Sequence, residues 1–159
     1  TIEEDSPPSF FPLTWRNLMK GDTDGIEVWA TWQPTPWWRL APGATALRER
    51  LSFKPGASAL VGVTQAGDDP GLYGSLNSSM DLGRRMTLDL NFRYVGALPS
   101  PALPAYGEAD ARFAWRASRT LELSISGSNL LHARHLEAPV ANGGEEIPRS
   151  VYAGARWKF

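Results

Sequence analysis

Cysteine is absent from the 159 residues, which excludes disulfides, thiolate metal sites and a cysteine nucleophile. No apolar run approaches the ~18–20 residues of a transmembrane helix, so any membrane contact has to come from strands. Neither sign of charge dominates: 16 Lys and Arg stand against 17 Asp and Glu, a formal charge of −1. That balance gives no nucleic-acid footprint, which would need a clustered basic excess. No basic-then-apolar leader is visible and the first residue is Thr1, so the expectation is a processed chain or a piece of a longer one.

Chemistry-bearing motifs are equally scarce. His132 and His135 are the only histidines, three apart after Asn129-Leu-Leu131. A loop does not place i and i+3 on one face and no third ligand accompanies them, so a turn or loop role is expected rather than a metal site. Asp68-Asp69 and Glu145-Glu146 read as solvated surface. There is no glycine-rich phosphate loop and no nucleophile elbow. No catalytic residue, metal or cofactor is therefore expected.

What remains points to strands. The 15 Gly and 13 Pro are spread too evenly for long helices. Apolar residues recur at every second place in Met86, Leu88, Leu90, Phe92 and Tyr94, against Thr87, Asp89, Asn91 and Arg93. The same period runs through Leu121, Leu123, Ile125 and Gly127, and through Ala109, Ala111, Phe113 and Trp115. It returns in Leu72, Gly74, Leu76, Ser78, Met80 and Leu82, in Ile26, Val28, Ala30 and Trp32, and in Val151, Ala153, Ala155, Trp157 and Phe159. Such segments are strands with one apolar and one strongly polar face. A mean hydropathy of −0.30 does not oppose a membrane site, because a barrel strand shows lipid only every second residue. Residues 37–53 are less regular: Pro42-Gly43 falls mid-strand, where a bulge or strand end is expected, and the parity breaks near Leu47.

The connections alternate in length. Gln33-Pro-Thr-Pro36, Leu82-Gly-Arg-Arg85 and Arg116-Ala-Ser-Arg119 are tight turns, and between them lie long polar loops at 54–70, 97–105 and 132–148. This is the up-and-down meander of a transmembrane barrel, about seven strands in this chain, with residues 1–12 belonging to a preceding outer loop and 13–159 to the barrel segment. Trp32, Trp37, Trp38, Trp115, Trp157 and Phe159 all fall within a few residues of a short turn or of the last residue, an arrangement that predicts one aromatic girdle at one interface with lipid. Tyr94, Tyr106 and Phe53 are candidates for the opposite girdle. The inward polar residues Asp89, Arg93, Glu108, Asp110, Arg112 and Glu122 are expected to pair with one another across a wet lumen or against a plug.

Ala105-Tyr-Gly-Glu-Ala-Asp-Ala-Arg112, Leu121-Glu-Leu-Ser-Ile-Ser-Gly-Ser-Asn-Leu-Leu131, His135-Leu-Glu137 and Ile147-Pro-Arg-Ser-Val-Tyr-Ala-Gly-Ala-Arg-Trp-Lys-Phe159, in that order, resemble the end of the TonB-dependent outer-membrane receptors. Upstream, Asn17, Gly21 and Gly25-Ile-Glu27 are similar to a long strand of that family, which would make 13–34 one strand with a kink at 21–25. The resemblance implies the C-terminal part of a 22-stranded barrel that imports siderophore-like or other scarce ligands through the outer membrane. Tyr152, Gly154, Trp157 and Phe159 match the family's C-terminal signal for the barrel-assembly machinery. No plug domain or TonB box is present in these residues, so contact with TonB would be indirect, through a plug, and the missing first strands would be further partners. Seven strands leave two open edges, which is costly in hydrocarbon; the segment is not expected to span a membrane alone. The alternative from another class is a soluble, Trp-rich β-sandwich that binds carbohydrate, in which the apolar faces would meet in a core.

Overall fold

The alternating segments form strands where their periodicity places them. The computed structural model describes residues 2–4, 13–57, 63, 69–98, 102–137 and 146–159. Seven strand positions make one antiparallel meander: β3 (Met19–Trp29) continued by β4 (Trp32–Thr35), then β5 (Trp38–Phe53), β6 (Leu72–Leu82), β7 (Met86–Val95), β8 (Tyr106–Arg116), β9 (Leu121–Ser128) and β12 (Ser150–Trp157). Two small ribbons stand apart from it. β1 (Ile2–Glu4), within the stretch expected as outer loop, pairs with β2 (Leu13–Trp15), and β10 (Arg134–Leu136) pairs with β11 (Glu146–Pro148) inside the last long connection.

Register keeps the apolar sets in phase. Leu88 lies opposite Met80 on one side and Phe113 on the other, and Phe113 lies opposite Ile125. Leu90, Ser78 and Leu40 align in the same way, and so do Ala111, Gly127 and Val151. Because successive side chains point to opposite faces, this phasing collects the apolar residues on one face of the whole sheet. Among the described residues no second layer packs over them: Ile26, Val28, Ile125 and Val151 are all more than half exposed, and Leu103 and Ala114 are the buried apolar residues. A sandwich buries such faces against a second sheet. Among the described residues the meander is a single sheet, so the carbohydrate-binding sandwich has no structural basis here.

The polar face is the concave one. A hollow of about 500 Å³ spans β5 to β9 along it, lined by Arg39, Asn77, Asp89, Asp110, Arg112 and Ser126 among others. On β7 the apolar face runs from Met86 to Tyr94, eight steps of ~3.4 Å or about 27 Å of strand. At the ~40° tilt of barrel strands that is roughly 20 Å of depth, close to the ~25 Å apolar band of outer-membrane barrels.

Two irregularities of the sequence find their causes. The chain neither bulges nor ends at Pro42: β5 runs through it, and the interruption lies on the neighbouring strand, between β3 and β4. The Pro42 carbonyl accepts from the Ala30 N–H at 3.0 Å, but proline has no N–H to return. The same register resumes at Trp32↔Leu40, and the slip comes only between Trp32 and Thr35. The parity break near Leu47 marks where β5 outruns β6. Ala46 is the last residue of β5 paired to β6, at Leu72, whereas the pairing with β3 continues to Phe53↔Met19. Beyond that level the convex parity turns polar, with Arg48, Arg50 and Ser52 opposite Asp24, Asp22 and Lys20, while Leu47, Leu51 and Phe53 take the other parity; Arg50 bonds Asp24 at 2.7 Å.

The expected kink at 21–25 is not there. Gly21 to Gly25 pair with Leu51 to Leu47 without a shift, and the long strand starts at Met19 rather than at residue 13. Gly21 serves close approach instead, since a Cβ there would collide with the Arg50 carbonyl oxygen and the Leu51 side chain. Gly21→Ala is expected to lower stability by ~1–3 kcal/mol through overpacking, with faster hydrogen exchange confined to the outer ends of β3 and β5; unchanged exchange there would contradict the close approach.

Candidate functional site

The aromatic residues picked out in the sequence sit largely at one end. Trp38 lies opposite Met80, Trp115 opposite Met86 and Leu123, and Trp157 opposite Leu121, all on the convex face beside the short turns. Trp37 occupies the Pro36–Trp37 turn and stacks on Trp38, with centroids 6.2 Å apart and planes 18° apart. Trp32, opposite Leu40, is one layer deeper on the same face, and Phe159 follows β12 fully exposed. The Trp38 indole N–H donates to Ser78 Oγ at 3.0 Å, which covers a buried hydroxyl on the apolar face. Tyr152 and Gly154 lie on the concave face opposite Ser126 and Ser124, so the four residues of the expected assembly signal divide between faces. The second girdle is not formed as expected. Tyr94 is on the convex face, but Tyr106 and Phe53 have the opposite parity, paired with Val95 and Met19.

On the concave face most of the polar residues pair across strands, as adjacent wet strands require. Arg112 lies 3.8 Å from Asp89 and 3.1 Å from Glu122, Arg39 lies 3.3 Å from Asp81, and Ser79 donates to Asp89 at 2.7 Å. Partly exposed pairs of this kind contribute at most about 1 kcal/mol each; they keep the face polar rather than hold it together.

One cluster at the long-loop end is different. Glu108 faces Arg93 in register, yet the two do not pair. The Glu108 carboxylate is fully buried and is held by the segment that follows β9: the Leu131 N–H donates at 3.2 Å, and His132 Nδ1 and His135 Nδ1 lie 2.6 and 3.3 Å from Oε1. Arg93 turns instead to Asn129, Glu137 and Asp110, at 2.9, 2.9 and 3.5 Å. His135 Nε2 lies 2.8 Å from Glu137, and its ring rests on Tyr106 at 4.9 Å between centroids. The route into this cluster is Asn129, whose φ of 56° is left-handed, a conformation that asparagine tolerates better than other side-chain-bearing residues. Its N–H donates to Asp110 at 3.0 Å. The chain thereby leaves β9 and folds back over β7 and β8.

The sequence separated His132 and His135 from any third ligand, and no cluster of three or more His, Asp or Glu able to hold a metal occurs among the described residues. What sequence spacing did not show is that both rings converge on one carboxylate. Burial would push the Glu137 carboxyl up, but hydrogen bonds from His135 and Arg93 outweigh it and hold the group below the usual carboxylate range. A carboxyl lowered in the folded state contributes stability above its unfolded value and loses it as pH falls through the folded value. Hydrogen exchange across residues 134–137 is therefore expected to rise on acidification below the usual carboxylate range, and Glu137→Gln is expected to flatten that dependence.

Fold and faces together define the class: an antiparallel meander of the kind that forms part of a β-barrel wall. Two solved structures carry the same arrangement. The siderophore receptor PiuA from Acinetobacter baumannii matches with a TM-score of 0.69 and 18% identity, over 93% of this chain and 23% of that one. The ferric-catecholate import receptor Fiu from K12 E. coli, in its closed form, matches with a TM-score of 0.66 and 19% identity, over 99% of this chain and 23% of that one. The likeness is one of fold, and the chain spans about a quarter of the length of either receptor. No protein-family model and no curated protein matches it.

Proposed function

We propose that this chain forms part of the wall of an outer-membrane receptor that imports siderophore-like or other scarce ligands with energy from TonB. The observation that carries the reading is the phasing of seven strand positions into a convex apolar face and a concave polar one, on a fold shared with two receptors. Further strands and a plug would close the two sheet edges and fill the lumen, with TonB acting through the plug. Trp32, Trp37, Trp38, Trp115, Trp157 and Phe159 anchor the short-turn end in the lipid interface, and Tyr152, Gly154, Trp157 and Phe159 present the last strand to the barrel-assembly machinery. The outer loops 54–70 and 132–148 touch ligand. A transport role, not a catalytic one, fits the two receptors that share the fold.

The test uses the full-length protein in iron-starved Gram-negative cells. Deleting residues 132–148 should abolish growth on a ferric siderophore while the protein stays in the carbonate-washed outer membrane. Release of the protein by carbonate refutes the barrel, and undiminished growth refutes the ligand role.

A further inference from the structure

Among the described residues, six cations gather at the short-turn rim. Arg84 and Arg85 occupy the β6–β7 turn, Arg119 the β8–β9 turn, Arg116 the end of β8, and Arg156 and Lys158 the end of β12. All six are exposed. The rim is tied into one surface: the Arg116 N–H donates to the Arg85 carbonyl at 2.7 Å, its guanidinium to the Arg84 carbonyl at 3.2 Å, and the Lys158 N–H to the Thr120 carbonyl at 2.8 Å. The two acids at this end are engaged elsewhere, Asp81 by Arg39 and Glu122 by Arg112. None of the six cations has a carboxylate partner among the described residues. The cations come from three separate stretches of a chain with net charge −1, so the cluster exists only in the fold.

We propose that this rim binds the anionic phospholipid headgroups of the leaflet on the short-turn side. The inference rests on the barrel reading above. The rim spans β6 to β12, four inter-strand spacings of ~4.8 Å or roughly 19 Å, wide enough for more than one phosphate. It lies directly beside Trp115, Trp157 and the Trp37–Trp38 stack, and an aromatic belt sets the level of the headgroups. Arg116, Arg156 and Lys158 leave strand ends with concave parity, and the Arg116 guanidinium turns to the Arg84 carbonyl in the β6–β7 turn; Arg84, Arg85 and Arg119 are in the turns themselves. Guanidinium groups pair with phosphate oxygens bidentately, and cations close to an anionic surface attract it additively over a Debye length. An acidic protein segment shares the charge but has no reason to meet the aromatic belt.

The full-length protein in nanodiscs tests this, with spin-labelled phosphatidylglycerol and phosphatidylcholine as probes of the lipid held against the barrel. The wild type should restrict the anionic probe about threefold or more over the zwitterionic one, a preference that falls with salt. The triple variant Arg84→Gln, Arg85→Gln, Arg119→Gln should bring the ratio close to one while the total restricted lipid is unchanged. Equal restriction of both probes by the wild type overturns the headgroup site and leaves the barrel standing. Equal restriction combined with binding of a polyglutamate probe transfers the rim to an acidic protein partner and overturns the proposal. No restricted lipid of either kind overturns the barrel itself.

Discussion

Leu90→Arg is expected to destabilise the full-length protein in lipid vesicles by ~2–4 kcal/mol, the cost of an arginine on the lipid face near the bilayer midplane. Leu90 sits midway along β7, 39% exposed, between Ser78 and Ala111 on the convex face. Its neighbour Asn91 points to the concave side, where its amide donates to Asn77 at 2.5 Å. Asn91→Lys is therefore expected to cost only about 1 kcal/mol, one partly exposed hydrogen bond. The contrast between adjacent positions is the informative quantity. If the convex face met water, Leu90→Arg would fall within ~0.5 kcal/mol, as most surface changes do. Reversible urea unfolding in vesicles reads both variants.

The second large effect is expected at Glu108. Alanine there strips the acceptor from the Leu131 N–H and the partner from His132 Nδ1, and removes the carboxylate 3.3 Å from His135 Nδ1. Each hydrogen bond lost from a charged group costs ~1.5–3 kcal/mol, and here the loss is local. The segment from Asn129 to Glu137 should loosen from β7 and β8, with exchange of the Leu131 amide accelerated about 100-fold or more. Exchange in the middle of β7 should stay as it is. Glu108→Gln keeps a carbonyl acceptor and should lie between the two. Undisturbed exchange around Leu131 in the alanine variant would show that the carboxylate does not hold the segment.

The strands were legible because their faces differ so sharply in polarity: Met86 to Tyr94 against Thr87 to Arg93 fixes a face before any partner is known. The turns at Leu82–Arg85 and Arg116–Arg119 were legible for the same reason, as gaps between alternating runs; the turn expected at Gln33–Pro36 lies instead at Pro36–Trp37, because Trp32–Thr35 pairs with β5 as a strand. Departures came where the cause lies on another strand. Pro42 marked an irregularity correctly, yet the interruption fell on β3–β4, because the missing donor is felt by the strand it should have bonded. The parity break near Leu47 looked like a defect of β5 and reflects only where β6 begins to pair.

The carboxylate cluster was the least legible part. Glu108 and His132 are 24 residues apart, and their meeting depends on one left-handed residue, Asn129, that redirects the chain after β9. Register placed Glu108 opposite Arg93 and suggested a simple cross-strand pair. The structure instead divides their partners, because the returning segment supplies donors to one and acceptors to the other. Tyr106 followed: its ring is taken up by His135 rather than by an interface.

The most direct measurement is an accessibility scan along β7. With no native cysteine in these residues, single cysteines at positions 87 to 93 can each carry a nitroxide label in the full-length protein in bilayers. Oxygen, which concentrates in lipid, should relax the labels most strongly at 88, 90 and 92. A water-soluble nickel chelate should never exceed oxygen there, and oxygen should fall to minima at 89 and 91. A two-residue period with that phase places the convex face in lipid. Uniform access to the nickel chelate, or the opposite phase, would contradict a barrel wall.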